Sequence, residues 1–204
     1  MKTRASIIIL FIIVLKGSLY SQQLSLQWAL QFGNTGWDYV NELKKTNDNG
    51  FVVAGCIKGS LPGDTAHPNI NNSNNAFLAA CDSSGNILWQ KVFGGKGFDQ
   101  ATSVIPVTDG FLTCGIFQDT LCIDSLWINS SAYNSAYVCK LNGESKAAWI
   151  KDIGGKALIR NILLEKTSAG NFYVAGSFSD SLVLADTLLA TTGEQGLFIE
   201  QIQS

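Results

Sequence analysis

The sequence contains a single histidine and three prolines, and it lacks the common catalytic motifs. Any Ser-His-Asp arrangement would have to use His67, which lies in a long polar loop and is typical of a solvated histidine. No G-x-S-x-G, H-E-x-x-H or C-x-x-C pattern occurs in the chain. We therefore predict no catalytic residues, no metal site and no cofactor, and we interpret the chain as a protein that is not an enzyme.

Charge of either sign is sparse. Charged residues make up 15% of the chain, with 14 Lys and Arg against 16 Asp and Glu, which gives a net charge of −2. The basic residues are scattered, so a surface for nucleic acid or for an anionic membrane is disfavoured. Gly, Asn, Ser and β-branched residues are abundant instead, a composition typical of an exported β protein with many tight turns.

The N-terminal apolar run, residues 5–15, is too short to span a bilayer as a helix. Two basic residues precede this run and Ser21 follows it, which is the pattern of a secretory signal peptide. We predict a signal peptide over residues 1–21 and a secreted or cell-surface protein, without a membrane span, over residues 22–204. An uncleaved N-terminal anchor is the alternative.

Because the number of cysteines is odd, the thiols cannot all be paired in disulfides within the chain. The five are Cys56, Cys81, Cys114, Cys122 and Cys139. Two pairs have equal spacing, but the repeat described below shifts one pair by two residues relative to the other. Both pairs therefore cannot lie directly opposite each other in one antiparallel register. At most one bridge follows, and we expect most of the thiols to be buried as small apolar side chains.

Three tryptophans, Trp28, Trp89 and Trp149, recur at intervals of 61 and 60 residues and mark an internal repeat. The segments NDNGFVVAG, TDGFLTCG and SAGNFYVAG recur in the same order, and their last glycines are Gly55, Gly115 and Gly176. The resulting repeats cover residues 32–92, 93–152 and 153–204.

Within each repeat, short runs such as FVVAG and AFLAA are rich in β-branched and aromatic residues and are separated by turn sequences. Several runs are apolar on both faces, which predicts strands that are covered on both sides. We predict four strands per repeat, in the first repeat near 38–46, 50–57, 76–82 and 86–92. Tandem four-stranded units predict an all-β fold, a β-propeller-like array of three four-stranded blades.

The segments FGNTGWDYVNELKKTNDNGFVVAGCIKG and CDSSGNILWQKVFGGKGFDQATSVIPVTDGFLTCGIF resemble the SBBP-type β-propeller repeats of exported bacterial proteins. The resemblance implies a propeller fold but no particular function. The third repeat departs from it, since Ile159 stands where Asp38 and Asp99 stand and Ile153 replaces a phenylalanine. Three blades are fewer than the usual number of about four to eight. We therefore expect a partial propeller or one completed in a homo-oligomer, with strand 24–32 as the candidate for completing the last blade.

Two tryptophans, Trp37 and Trp127, break the repeat and are the candidate glycan-binding residues, since they are expected in exposed loops. The three repeated tryptophans are expected to pack between blades as structural residues. Asp38 and Asp99 are expected to cap backbone N–H groups rather than to hold a cation. A ligand site is expected at the rim formed by the most variable loops, 58–75, 118–135 and 178–196.

These features predict a secreted, non-catalytic β-propeller module that binds or scaffolds at the cell surface, with a glycan or a surface protein as its partner. Two alternatives stay open at this point. One is an exported propeller enzyme that acts on glycans with paired carboxylates, whose separation the sequence does not give. The other is a truncated remnant of a longer repeat protein.

Overall fold

A computed structural model of the chain describes residues 25–33, 36–59, 61, 73–130, 133–154, 157–184 and 187–202. The predicted signal peptide, 1–21, and His67 lie outside the described residues. The described part is all-β and is built from several small antiparallel sheets, which confirms the predicted fold class. The arrangement of these sheets as propeller blades stays a prediction.

The first sheet contains four strands in sequential order, and each pairs with its neighbour in an antiparallel direction. The bounds are β1 Tyr39–Lys45, β2 Phe51–Lys58, β3 Asn74–Cys81 and β4 Ile87–Phe93, within two residues of the predicted bounds. The sequence NDNG forms the turn between β1 and β2, where Asn49 adopts a φ of 65°. Asparagine tolerates this left-handed conformation better than most residues do, which explains its place in the turn.

The second sheet repeats this order and carries an added hairpin, here called the first hairpin. The strands in chain order are β5 Gln100–Val107, β6 Gly110–Phe117, β7 Thr120–Ile123, β8 Leu126–Asn129, β9 Ser135–Leu141 and β10 Ala147–Ile153. The sheet order is β10-β9-β6-β5, while β7 and β8 pair with each other as the first hairpin. The inserted hairpin thus lies between the second and third strands of the sheet.

The third sheet has three strands in the order β11-β12-β15, and a second hairpin is inserted at the corresponding place. The bounds are β11 Leu158–Lys166, β12 Phe172–Ser179, β13 Ser181–Leu184, β14 Thr187–Ala190 and β15 Gly196–Ile202. Residues 25–33, which cover most of the predicted strand 24–32, contain no strand and do not join the third sheet.

The hydrophobic core lies between successive sheets. One cluster joins the first sheet to the second, with Leu78 and Tyr137 among its members, and another joins the second sheet to the third, with Val138 and Phe198. Because side chains alternate between the two faces of a strand, neighbouring residues such as Tyr137 and Val138 enter different clusters. Strands β2, β3 and β9 are therefore buried on both faces, as the doubly apolar runs predict.

Aromatic contacts between successive units recur at the repeat interval. The ring centroids of Trp89 in the first sheet and Phe111 in the second sheet lie 5.3 Å apart. Phe93 packs against Tyr137 in the same interface at 5.8 Å. Trp149 packs against the cluster between the second and third sheets, which also contains Phe172. The first and second sheets thus each place a repeated tryptophan against the sheet that follows.

The repeated glycines Gly55, Gly115 and Gly176 lie where a neighbouring strand comes very close. A Cβ atom at Gly115 would overlap the carbonyl oxygen of Gln100 and would also touch the Tyr137 ring. The other two glycines face the carbonyl oxygens of Tyr39 and Asn161 in the same way. A side chain at these positions would push the first and second strands of each sheet apart.

We expect Gly115→Ala to lower the free energy of unfolding by about 1–3 kcal/mol, the usual cost of overpacking a core. The matched control is Gly143→Ala, because nothing lies within 4 Å of a Cβ at Gly143. Urea denaturation of the two variants measures the difference. Equal stability of Gly115→Ala and Gly143→Ala would contradict the close approach.

Candidate functional site

The two tryptophans predicted to bind a ligand are both exposed. Trp37 precedes β1 and is 84% exposed, and Trp127 lies on β8 and is 66% exposed. Trp127 is paired with Cys122 on the outward face of the first hairpin. Neither indole lines the cavities described below. Both rings are therefore available as exposed surface platforms.

A more enclosed site lies around Trp149, between the second and third sheets. A cavity of about 410 Å³ is bounded by β10, the second hairpin and β15, and its lining includes Trp149, Lys151, Val183 and Glu200. We call this cavity the Trp149 groove. A second cavity, of about 490 Å³, also has Trp149 in its lining, together with Lys140 and other residues. Trp149 thus lines two cavities.

The corresponding place between the first and second sheets is closed by an ion pair. The Lys91 ammonium lies 2.5 Å from Oδ1 of Asp124, which is at the tip of the first hairpin. The other carboxylate oxygen of Asp124 accepts a hydrogen bond of 2.7 Å from the backbone N–H of Ala147. Asp124 thereby connects the first hairpin to β4 of the first sheet and to β10 of the second sheet.

The sequence of the second hairpin differs at the position of this ion pair. Lys151 follows Trp149 by two residues, as Lys91 follows Trp89, but Ala185 stands at the position equivalent to Asp124. The Lys151 ammonium instead lies 5.6 Å from the centroid of the Trp149 ring. Lys151 therefore lies beside the indole of Trp149 in the Trp149 groove.

Two acidic side chains, Glu200 and Asp152, also line the groove. Partial burial raises the pKa of the Glu200 carboxyl, and the charge of Lys151 opposes that rise. The groove thus combines an aromatic face, a cation and the carboxyl groups of Glu200 and Asp152, with the apolar side chains of Val183 and Leu184 beside them. Such a combination can stack against an apolar ring face while it donates and accepts hydrogen bonds at the ring edge.

The two repeated aspartates bind backbone N–H groups. Asp38 accepts a hydrogen bond of 2.8 Å from the N–H of Lys58, at the end of β2. Asp99 accepts one of 2.7 Å from Gly95 and one of 3.4 Å from Gln118, which is equivalent in sequence to Lys58. Among the residues that the structure describes, no group of three or more His, Cys, Asp or Glu side chains could hold a metal ion.

All five thiols are free, and four of them are buried. Cys122 is the exposed one, and it lies beside Trp127 on the first hairpin. Cys56 and Cys81 lie on paired strands but not opposite each other, since Cys56 is paired with Ala76 and Cys81 with Phe51. Most thiols therefore serve as small apolar side chains, as expected from the sequence.

Sequence reasoning assigned Trp149 to packing alone and missed the groove beside it. The signal that could have revealed the groove is the exchange of Asp124 for Ala185 in otherwise similar hairpins. Over the described ranges, no helix is long and apolar enough to cross a membrane. A scan against protein-family models and a search of curated proteins find no match to this chain.

Proposed function

We propose that this chain is an exported, non-catalytic β-propeller-type module that binds a glycan in the Trp149 groove. The observation that carries the proposal is the meeting of Trp149, Lys151 and Glu200 in one cavity of about 410 Å³. A sugar ring has an apolar face that suits an indole and hydroxyl groups that suit an ammonium and a carboxylate. The predicted signal peptide and the resemblance to SBBP-type repeats support a role at the cell surface.

The experiment is a screen of neutral and acidic oligosaccharides, followed by calorimetric titration of the strongest binder. We expect Lys151→Met and Glu200→Gln each to weaken binding by roughly tenfold to a hundredfold, because each removes a charge-assisted hydrogen bond. Lys146→Met is the matched control, since Lys146 is an exposed lysine that precedes the same strand and pairs with Glu144. Unchanged binding by both groove variants would rule out the groove as the site.

The exposed indole of Trp127 offers a second candidate platform. If the ligand binds on the first hairpin, Trp127→Ala weakens binding and Lys151→Met leaves the affinity unchanged. The opposite pattern supports the groove. Comparison of the two variants against one oligosaccharide therefore assigns the site.

Recovery of the bound oligosaccharide separates binding from catalysis. A binding module returns the oligosaccharide intact after long incubation, whereas a glycan hydrolase or lyase releases shorter products. If products appear, the alternative of an exported enzyme gains support. Variants Asp38→Ala, Asp99→Ala and His67→Ala would then show whether turnover depends on these side chains.

A further inference from the structure

We propose that residues 25–33 of a second copy of this chain form the outer strand of the third sheet by pairing with β15. Two copies would then associate head to tail, with the end of each array against the beginning of the other, so that both ends are paired. Three observations support this pairing. One face of the third sheet is uncovered, and one edge of β15 is unpaired among the described residues. Residues 25–33 already pack on the first sheet as an outer strand would.

The third sheet exposes a face that is covered in the other two sheets. Leu78 in the first sheet and Val138 in the second are 0% and 2% exposed, because each packs against the sheet that follows. Ile199 holds the equivalent position in the third sheet and is 75% exposed. Its neighbour on the same face, Leu197, is 83% exposed. An apolar face of this kind, presented by a well-formed sheet, is a surface for association.

The edge of the third sheet is open at the same place. In the first and second sheets, β3 and β9 pair with the outer strands β4 and β10. Within the described part of the chain, the equivalent strand β15 pairs only with β12. Its other edge therefore presents backbone N–H and C=O groups that an added strand can satisfy.

Residues 25–33 pack on the first sheet as an outer strand of a preceding sheet would. Trp28 contacts Phe51 with ring centroids 6.1 Å apart, and Phe32 contacts Phe77 at 5.3 Å. These contacts match those that Trp89 and Phe93 of β4 make with the second sheet, one repeat later. The segment has the side-chain contacts of an outer strand, but no sheet among the described residues lies on its other side.

The occupant of the β15 edge is a second copy rather than the same chain. Residues 25–33 lie on the first sheet and lead almost directly into β1, while the second sheet lies between the first and the third. Stacked sheets are about 10 Å apart, so the segment cannot serve both ends of its own array. In a second copy, the segment and the first sheet behind it would cover the exposed face as well as the edge.

The repeat also predicts the register of this pairing. In the first sheet Ala76 is opposite Phe93 and Leu78 is opposite Lys91. The equivalent pairs across the two copies are Leu197 with Phe32 and Ile199 with Leu30. Directly opposed residues have Cβ atoms about 4.5–5.5 Å apart, within reach of a disulfide after small adjustment.

The first test is a cross-link between two different variant chains. One carries Leu30→Cys and the other Ile199→Cys, both with Cys122→Ser to remove the exposed thiol. We expect a disulfide-linked dimer when the two are mixed under mild oxidation and far less with either variant alone. In the control, Gln27→Cys replaces Leu30→Cys. Gln27 lies three residues from Leu30, so it is not opposite Ile199 in the predicted register. Absence of the cross-link, or equal cross-linking by the control, would overturn the proposal.

The second test is the mass of the full secreted chain in solution, measured by light scattering across a concentration series. We expect the mass of two copies, shifted to one copy by Ile199→Lys because a charge would be buried at the interface. The control is Leu188→Lys, which changes another exposed leucine, on the second hairpin, and should leave the mass unchanged. A single-copy mass at every concentration, or a dimer that survives Ile199→Lys, would refute the pairing.

Discussion

Replacement of Tyr137 by alanine is expected to destabilise the protein by about 3–5 kcal/mol, the usual cost of removing a buried aromatic ring. Tyr137 is fully buried and joins two sheets, since its ring packs edge-on against Phe93 of β4 and Phe117 of β6. Its hydroxyl donates a hydrogen bond of 3.3 Å to the carbonyl oxygen of Gln100. Removal of the ring leaves a cavity between the first and second sheets.

Two further variants separate the contributions of this side chain. Tyr137→Phe keeps the ring and removes only the hydroxyl, so we expect a loss of about 1 kcal/mol. Tyr133→Ala is the control for tyrosine removal, because Tyr133 is exposed. Urea denaturation of the three variants, fitted with one common dependence of the free energy on urea concentration, gives their free energies of unfolding. A similar loss in Tyr137→Ala and Tyr133→Ala would contradict the assignment of Tyr137 to the core.

The strands were predictable because burial on both faces leaves a strong local signal. Runs such as FVVA and FLAA have no polar side chain to place in water, and the turns between them carry Gly, Asn and Asp. The hairpin inserted in the second and third repeats was also visible, in the similarity of DTLCIDSLWINSS to DSLVLADTLLATT. Local composition thus determined most strands of the described part.

The Trp149 groove was harder to predict because it depends on residues distant in sequence. Trp149 and Trp89 occupy the same repeat position, and the ion pair of Lys91 with Asp124 is one difference between their surroundings. That contact joins a strand to a hairpin tip 33 residues later. The sequence shows that Ala185 replaces Asp124, but it does not show that the aspartate closes a gap between sheets.

Asp99 is a repeat position whose burial the sequence did not predict. It is fully buried, and burial raises the pKa of its carboxyl to about 7, although the hydrogen bonds from Gly95 and Gln118 oppose that rise. Oδ1 of Asn75 has no hydrogen-bond partner among the described residues. Oδ2 of Asp99 and Oδ1 of Asn75 both lie close to the position that a Cβ atom on Gly94 would occupy, at 2.5 and 2.6 Å from it. A protonated Asp99 carboxyl would therefore place a hydrogen-bond donor on the same side of Gly94 as this amide oxygen.

The stability of the protein should therefore fall as the pH rises from about 4 to about 7. In the unfolded chain Asp99 loses its proton near the ordinary pKa of 3.8, whereas the folded protein keeps that proton up to a pH of about 7. Between these values the folded state binds more protons than the unfolded state, so each pH unit costs up to about 1.4 kcal/mol. Asp99→Asn carries an amide that can donate to Asn75 at every pH and should remove this loss.

The free energy of unfolding of the wild type and of Asp99→Asn, measured at several pH values from 4 to 8, tests this prediction. The difference between the two proteins isolates Asp99 from other carboxyls, such as Asp152, whose pKa burial also raises, to about 6. Asp38→Asn makes the same change at the equivalent position of the first repeat and controls for the substitution itself. If Asp99→Asn and the wild type change in parallel across this range, Asp99 is ionised in the folded protein, and Asn75 is not satisfied by its proton.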